Sequence, residues 1–372
     1  MDVAIFGAGA AGLMTAITLH RTGHRSCVFE RSPQSHRAGM GFILVPECIA
    51  DLQSFGVDVP GMPLDNFLFR DSDGRVLQEQ AMPHGCHGIR RRNLIAALVR
   101  SLPEQETLIF DAELEGLELD EGHCVRGATL NRGGRSSQIR ADLYVAADGI
   151  GSRGRQVLFP EWPTSQAQVM EVVGLVRCKT TVRWAAGNFN KFHAAQGGIA
   201  LGILPVDREH VVWYLQFDAH RFPPPQESPQ VRHDFVNKLV GGWADPIPHL
   251  LANTDFSHMY LWQPVDTELI PHFNQGNLVL IGDAAHPFLP FTSQGVAAAV
   301  ADAVTLAGVL KTGDDLASAL HRYSFERHRQ CSPYVARGRE LMRNFLSPRG
   351  ELAELPIAWC QNGQPKSSGA VG

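Results

Sequence analysis

The stretch Val3-Ala4-Ile5-Phe6-Gly7-Ala8-Gly9-Ala10-Ala11-Gly12, continued by Leu13 to Arg21 and then by Arg25-Ser26-Cys27-Val28-Phe29-Glu30, decides the fold. Val3 to Phe6 reads as a fully buried strand, about Ala10 to Arg21 as a helix that Gly23 ends, and Arg25 to Glu30 as a second strand. Together they make one βαβ unit of a doubly wound α/β sheet. The three glycines act differently. Gly7 permits the tight turn, Gly9 lets backbone approach a pyrophosphate, and Gly12 lets helix and strand pack closely. The helix, opened by Ala10 and Ala11, presents free N–H groups and a positive dipole end to phosphate. Glu30 ends the second strand, where a carboxylate accepts hydrogen bonds from an adenosine ribose. The unit is therefore expected to bind a dinucleotide.

Composition bounds the rest. The 372 residues suit two intimately joined domains, and 44% hydrophobic against 19% charged residues supports a large core. A formal net charge of −5 excludes a globally basic nucleic-acid binder. Only five of the 33 basic residues are lysines, so anion contacts are expected from Arg forks. Seven cysteines, an odd number with no C-x-x-C pair, argue against a disulfide scaffold and for a reducing, cytoplasmic setting. His84, Cys86 and His87 lack a second cluster at zinc spacing and read as a turn or surface loop, so no metal is expected. Val3 to Leu19 is apolar but has no basic n-region, is interrupted by glycines, and falls short of the ~20 residues of a membrane span. No membrane or nucleic-acid partner is expected.

Further along, a helix-like stretch ends near Gly56, and Arg90-Arg91-Arg92 precedes an amphipathic run, placed to meet phosphate. Leu143 to Ala147 is another apolar strand, stopping at Asp148-Gly149, with Ser152 as the N-cap of a short helix. Leu278 to Ile281 is a third, stopping at Gly282-Asp283. Acids at the C-terminal ends of parallel strands stand where open α/β sheets bind ligands. A proline-punctuated loop, Pro287 to Pro290, leads to Gly295, which opens a helix to about Leu310. The middle differs. Val169 to Cys178, Ile199 to Val206 and His210 to Phe217 read as antiparallel strands, rich in aromatic neighbours. The tail after about Gly363 reads as disordered.

Three blocks in order, Gly7–Gly12 with Glu30, Ala147-Asp148-Gly149-Ile150-Gly151-Ser152 with Arg155, and Gly282-Asp283-Ala284-Ala285-His286-Pro287 leading to Pro290 and Gln294-Gly295, resemble the class A flavoprotein monooxygenases of the para-hydroxybenzoate hydroxylase type. The resemblance implies a Rossmann-like FAD-binding domain of the GR2 type carrying an inserted, mainly antiparallel substrate-binding sheet. It assigns 1–66, 85–159 and 271–345 to FAD, 67–84 and 160–270 to substrate, and 346–372 to a tail. FAD contacts are then expected from Gly7, Gly9, Ala10, Ala11, Gly12, Glu30, Arg31, Arg91, Asp148, Gly149, Gly282, Asp283, Pro290, Gln294, Gly295 and Val296. Asp148 falls in the motif shared between FAD and NAD(P)H binding, and Asp283 holds the ribityl or pyrophosphate region. The implied reaction uses NAD(P)H and O2 to hydroxylate a small aromatic or electron-rich substrate through a C4a-hydroperoxide, in a monomer or homodimer.

Ser293 stands where the family usually has the first glycine of Pro-x-x-Gly-x-Gly, which resembles the loop of flavin-dependent halogenases. Their Trp-x-Trp-x-Ile-Pro signature is missing, and no lysine precedes Lys179. The alternatives are the same fold with halogenase, reductase or oxidase chemistry, and a non-catalytic nucleotide-binding scaffold. An NAD-dependent dehydrogenase would leave the Gly-Asp block unexplained. No catalytic base stands out. His193, His210, Tyr214 and Arg183 lie in the middle layer, and packing or surface roles explain each of them more simply. His286 reads as loop structure.

Overall fold

The computed structural model describes residues 1–33, 40–104, 107–162, 164–225 and 228–348, with the backbone pairs Cys360–Gln361 and Gln364–Pro365 beyond them. The expected disorder after Gly363 falls largely on residues outside this set.

Two sheets organise the described chain. The first has six strands in the order Asn274–Gln275, Leu278–Leu280, Leu143–Ala146, Asp2–Phe6, Arg25–Glu30, Thr107–Phe110. All neighbours are parallel except the edge pair Asn274–Gln275 with Leu278–Leu280. The chain leaves the central strand Asp2–Phe6 first toward one edge and later toward the other, so this strand sits at the topological switch, outside whose carboxyl end such sheets bind ligands. The central strands are apolar at nearly every position, as strands covered on both faces must be.

The helix Ala10–Arg21 runs where the pattern places it, but it is buried from Ala11 through Leu19 rather than along one stripe. The reason is a second helix, Gly295–Leu310, packed against it. Thr18 Oγ1 donates to Ala303 O at 3.1 Å across the contact. The long helix Leu316–Leu346 packs against Gly295–Leu310, a feature the sequence pattern does not announce.

The second sheet has eight strands: Tyr260–Trp262, Val169–Arg177, His210–Asp218, Ile199–Pro205, Gly187–His193, Met62–Asp71, Val76–Arg90 and Gly41–Leu44. The three expected strands are present and antiparallel, in register with one another over most of their lengths. The long pair Met62–Asp71 and Val76–Arg90 is not foreseen. It corrects the reading of His84, Cys86 and His87, which stand in a strand rather than in a turn or surface loop, with Cys86 fully buried and its thiol pushed up to about 12, burial being the main cause. The side chains of one face, including Met170, Val172, Trp213 and Leu215, pack on the helices Lys179–Trp184, Pro229–Val240 and Ile247–Ala252. The opposite face turns toward the loop Pro290–Thr292 and the end of the long helix, as the cluster of Val169, Ala200, Leu289, Phe291 and Phe345 records.

Candidate functional site

The three sequence blocks meet. Gly7, Asp148 and Gly282 follow three adjacent parallel strands, and backbone hydrogen bonds from Ala147 N to Phe6 O (2.8 Å) and Ile281 N to Ala146 O (3.0 Å) lock the strand ends side by side. Gly7 has φ +107°, and a Cβ there would lie 2.3 Å from Ala147 O. A Cβ on Gly12 would lie 1.9 Å from Gly7 O, so these two glycines are needed by the chain itself. Gly9 is different: its Cβ would meet nothing within 4 Å. The same holds at Gly149, Gly151 and Gly295, so the backbone of all three blocks borders open space.

Glu30 ends its strand 9% exposed, with Oε2 accepting from Ala8 N (2.8 Å) and Oε1 from Ser32 N (2.9 Å). The carboxylate thus fixes the glycine turn and still has lone pairs to spare. Arg31 beside it is exposed. Ala10 and Ala11 open the helix, whose N-cap Gly9 offers no side-chain cap, leaving the first N–H groups free for an anion.

Asp148 Oδ2 accepts from Arg153 N at 2.7 Å, while its Oδ1 is buried without a partner. Ser152 is the expected N-cap, accepting from Arg155 N at 2.9 Å. Arg155 then reaches across to donate to the carbonyls of Asp283 and Ala284, both at 2.9 Å, and also contacts Ile150 O. One guanidinium therefore joins the second block to the third.

Asp283 is exposed on the wall of this crevice, yet protein surrounds it deeply enough that desolvation raises its pKa, against the pull of His286, Arg91 and Arg155. Arg91, the first residue of the helix Arg91–Arg100, has its Nε buried and unpartnered. Arg90 ends the preceding strand. Across the crevice, Pro290–Thr292 forms a short 3-10 turn, Ser293 adopts the left-handed conformation (φ 54°, ψ 25°), and Gln294 takes the N-cap position, without a side-chain cap hydrogen bond, of the helix that Gly295 and Val296 begin.

A buried ionic group supports this wall from behind. Asp302 Oδ2 accepts from Gly282 N and His286 Nε2, each at 2.7 Å, and Oδ1 accepts from Arg327 Nε at 2.6 Å. Arg327 also donates to Ala298 O at 3.0 Å. Burial would lower the pKa of His286, but the Asp302 carboxylate more than reverses this and keeps the imidazole protonated. His286 is thus a fixed cation behind the loop. His286, Asp302 and Cys331 lie close enough together to hold a metal ion, but Asp302 is already committed to two cations. Asp302 and Arg327 escape a reading of the sequence alone. The available signal is a single acid inside the apolar helix Gly295–Leu310.

The facing sheet carries a second buried polar group. Glu171 lies opposite Gln216 in register, Gln216 opposite Ala200, and Ala200 opposite His193. Two residues along, Val173, Tyr214, Gly202 and Lys191 form the next row on the same face. Glu171, Lys191 and Gln216 are 5%, 4% and 2% exposed. Burial pushes Glu171 up to about 7, against its hydrogen bond from Gln216 and the charge of Lys191, and pulls Lys191 down to about 8, against Glu171. The Tyr214 ring lies over Gly202, where a Cβ would come within 2.2 Å of it. Of the four residues considered as bases, His193 and Tyr214 share this face. His210 is paired with Asp207 at 2.9 Å, and Arg183 is exposed on a helix of the other face. Glu171, Lys191 and Gln216 do not figure among the sequence candidates, although a lone charged or amide side chain in an otherwise apolar strand is a readable signal.

Comparison with known proteins agrees with this geometry. The FAD binding domain family matches residues 1–337. The chain belongs to that family. Over 354 residues it is 28% identical to an aurachin C monooxygenase/isomerase of Stigmatella aurantiaca, covering 90% of this chain and 87% of the relative. It is also 28% identical to a kynurenine 3-monooxygenase of Salinispora arenicola, covering 87% and 76%. Among solved structures, Klebsiella pneumoniae HpxO complexed with FAD and uric acid superposes with a TM-score of 0.81 at 21% identity, covering 94% of this chain and 90% of that one. The resemblance to class A FAD-dependent monooxygenases holds: the flavoprotein is an FAD-dependent oxidoreductase of the monooxygenase type. No helix among the described residues is long and apolar enough to cross a membrane.

Proposed function

We propose that the chain binds FAD across the crevice formed by Gly7–Gly12, Glu30, Arg31, Arg91, Asp148, Gly149, Gly282, Asp283, Pro290 and Gln294–Val296, and hydroxylates a small aromatic substrate held on the facing sheet. The observation that carries this is the convergence of three distant blocks on adjacent strand ends, with open positions at Gly9, Gly149, Gly151 and Gly295. Orphaned polar atoms at Asp148 Oδ1 and Arg91 Nε, on segments bordering the crevice, are what a polar cofactor would satisfy.

When bound, the flavin supplies reduction by NAD(P)H and activation of O2, and the protein supplies position, charge and dryness. The free N–H groups at Ala10 and Ala11 suit the pyrophosphate, and Glu30 suits the adenosine ribose. The helix Gly295–Leu310 starts without a side-chain cap, and its positive end would favour negative charge on a reduced flavin bound beside it, a contribution of about 0.3–1 kcal/mol at an exposed site and up to ~2 when partly buried. Phe291, Phe345 and the apolar strands of the facing sheet exclude water around the reacting region. In the same reading, segments 67–84 and 160–270 serve the substrate, and the enzyme works in the cytoplasm as a monomer or homodimer.

The test is direct. The purified protein should be yellow or become so with FAD, and an aromatic substrate should stimulate NAD(P)H consumption and gain one oxygen atom. Asp283→Ala should remain folded but largely colourless. Failure of the wild-type protein to take up FAD would overturn the proposal.

A further inference from the structure

The helix Leu316–Leu346 does different things on its two faces. Inward it buries Tyr323, Arg327 and Cys331, and Arg327 answers Asp302 behind the FAD crevice. Outward, together with Pro271, it borders an open groove of about 530 Å³. None of the residues assigned above to FAD or to the facing sheet lines this groove. It lies where Pro333 interrupts the helix, since proline supplies no N–H for the carbonyl of Arg329.

The chemistry of the lining is one-sided. His321, Ser324, His328, Arg329 and Ser332 can all donate, and no Asp or Glu is among the residues that line the groove. The side chains of His321, Arg329 and Ser332 have no hydrogen bond or ion pair among the described residues. Ser324 is 3% exposed, and its Oγ accepts from Phe273 N at 2.7 Å. Its own O–H proton has no acceptor among the described residues. Beside these donors stands Phe325, 66% exposed, the most exposed large apolar side chain among the described residues. A phenyl ring left in water gains by covering itself with another flat apolar surface.

Spacing arranges these groups. Phe325, His328, Arg329 and Ser332 stand at i, i+3, i+4 and i+7, so they share one face over about 10 Å of helix. A guanidinium fork matches phosphate in two parallel bonds, and several donors without a carboxylate suit a group with several acceptor oxygens. An anion held at Arg329, between His328 and Ser332, leaves a ring joined to it within reach of Phe325. Pro271 and Ala336 add apolar surface for the body of such a molecule. The volume falls inside the range of about 300–1,000 Å³ usual for small-molecule sites.

We propose that this groove is a second ligand site, separate from the FAD crevice, for a phosphate monoester carried on a planar ring. Arg329 and His328 receive the phosphate, and Phe325 stacks on the ring. Aryl phosphates and nucleotides share this chemistry, and the experiment separates them.

The protein is incubated with FAD, freed of excess by gel filtration, and titrated by calorimetry with 1-naphthyl phosphate, AMP, 1-naphthol and inorganic phosphate. At least one of the two ring phosphates should bind saturably, and at least about tenfold tighter than 1-naphthol or inorganic phosphate. Tighter binding of AMP identifies the nucleotide form of the ligand, and tighter binding of 1-naphthyl phosphate the aryl form. Arg329→Gln and Phe325→Ser change exposed side chains. Each should weaken the ring phosphate by about tenfold while FAD affinity stays within about twofold of wild type. Dependence on both residues assigns the binding to the groove rather than to the crevice. No saturable binding of either ring phosphate, inorganic phosphate or 1-naphthol binding as tightly as they do, or variants that bind them like the wild type would each overturn the inference.

Discussion

Two of the charge clusters buried among the described residues differ in how far the chain completes them, although each leaves a ring nitrogen, His286 Nδ1 or His193 Nε2, buried without a hydrogen-bond partner. Around Asp302, the carboxylate is met by Gly282 N, His286 and Arg327, and the guanidinium is passed on to Ala298 O. Around Glu171, one oxygen has Gln216, while Lys191, Gln216 Oε1 and His193 Nε2 have no hydrogen-bond partner among the described residues. The first group holds a turn in place. The second leaves Gln216 Oε1 and His193 Nε2 unpaired on the face that turns toward the loop Pro290–Thr292. The glycines repeat the contrast. Gly12 is filled against by the chain's own carbonyl, and Gly9 faces open space.

The largest expected effect breaks the completed group. Asp302→Ala leaves His286 and Arg327 buried and unpaired, and should cost about 3–5 kcal/mol in urea unfolding, with loss of FAD because Gly282 N loses its acceptor. A loss below about 1 kcal/mol would mean that the network is not the support described.

Next come the glycines, where the contrast predicts opposite signatures. Gly12→Ala drives a methyl group into Gly7 O and should lower stability by about 2 kcal/mol or more. Gly9→Ala adds a Cβ that meets no atom within 4 Å and should leave the unfolding midpoint of the FAD-free protein within about 0.5 kcal/mol of wild type, while FAD titration shows affinity falling. Equal destabilisation by both would erase the distinction.

A smaller effect concerns pH. Glu171 holds its proton up to about 7 in the folded chain and releases it near 4.3 when unfolded, so between those values the folded state binds more protons and stability falls as pH rises. Lys191 keeps its proton in both states until about 8 and adds little in that window. Glu171→Gln should therefore flatten the decline in Tm between about pH 5 and 7.5, a difference of about 1–2 kcal/mol. An unchanged slope would place Glu171 in a wetter site than its burial indicates.

The smallest effect lies in the loop between the two regions. Ser293 is held in the left-handed region, so Ser293→Gly should relieve about 1 kcal/mol of strain and return part of it as unfolded-chain entropy. A net gain of about 0.5 kcal/mol in thermal unfolding is expected, and a loss would point to a hydrogen-bonding role for the hydroxyl.

The features legible in the residue order are local ones. The apolar run into Gly7–Gly12, the strands that stop at Asp148 and Gly282, and the Ser152 cap depend on neighbours in the chain, and they appear where the residues put them. The helix Gly295–Leu310 does so too. Strands Met62–Asp71 and Val76–Arg90 were not legible, because their burial comes from pairing with each other and with Gly187–His193 rather than from a clean alternation of their own. Folding in three dimensions settled the rest: that Arg155 ties two blocks together, that Asp302 is answered by Arg327, and that Lys191 and Glu171 share one face of the eight-stranded sheet. Charge and desolvation act over a few ångströms of space, and the residues that meet there lie tens to more than a hundred positions apart in the chain.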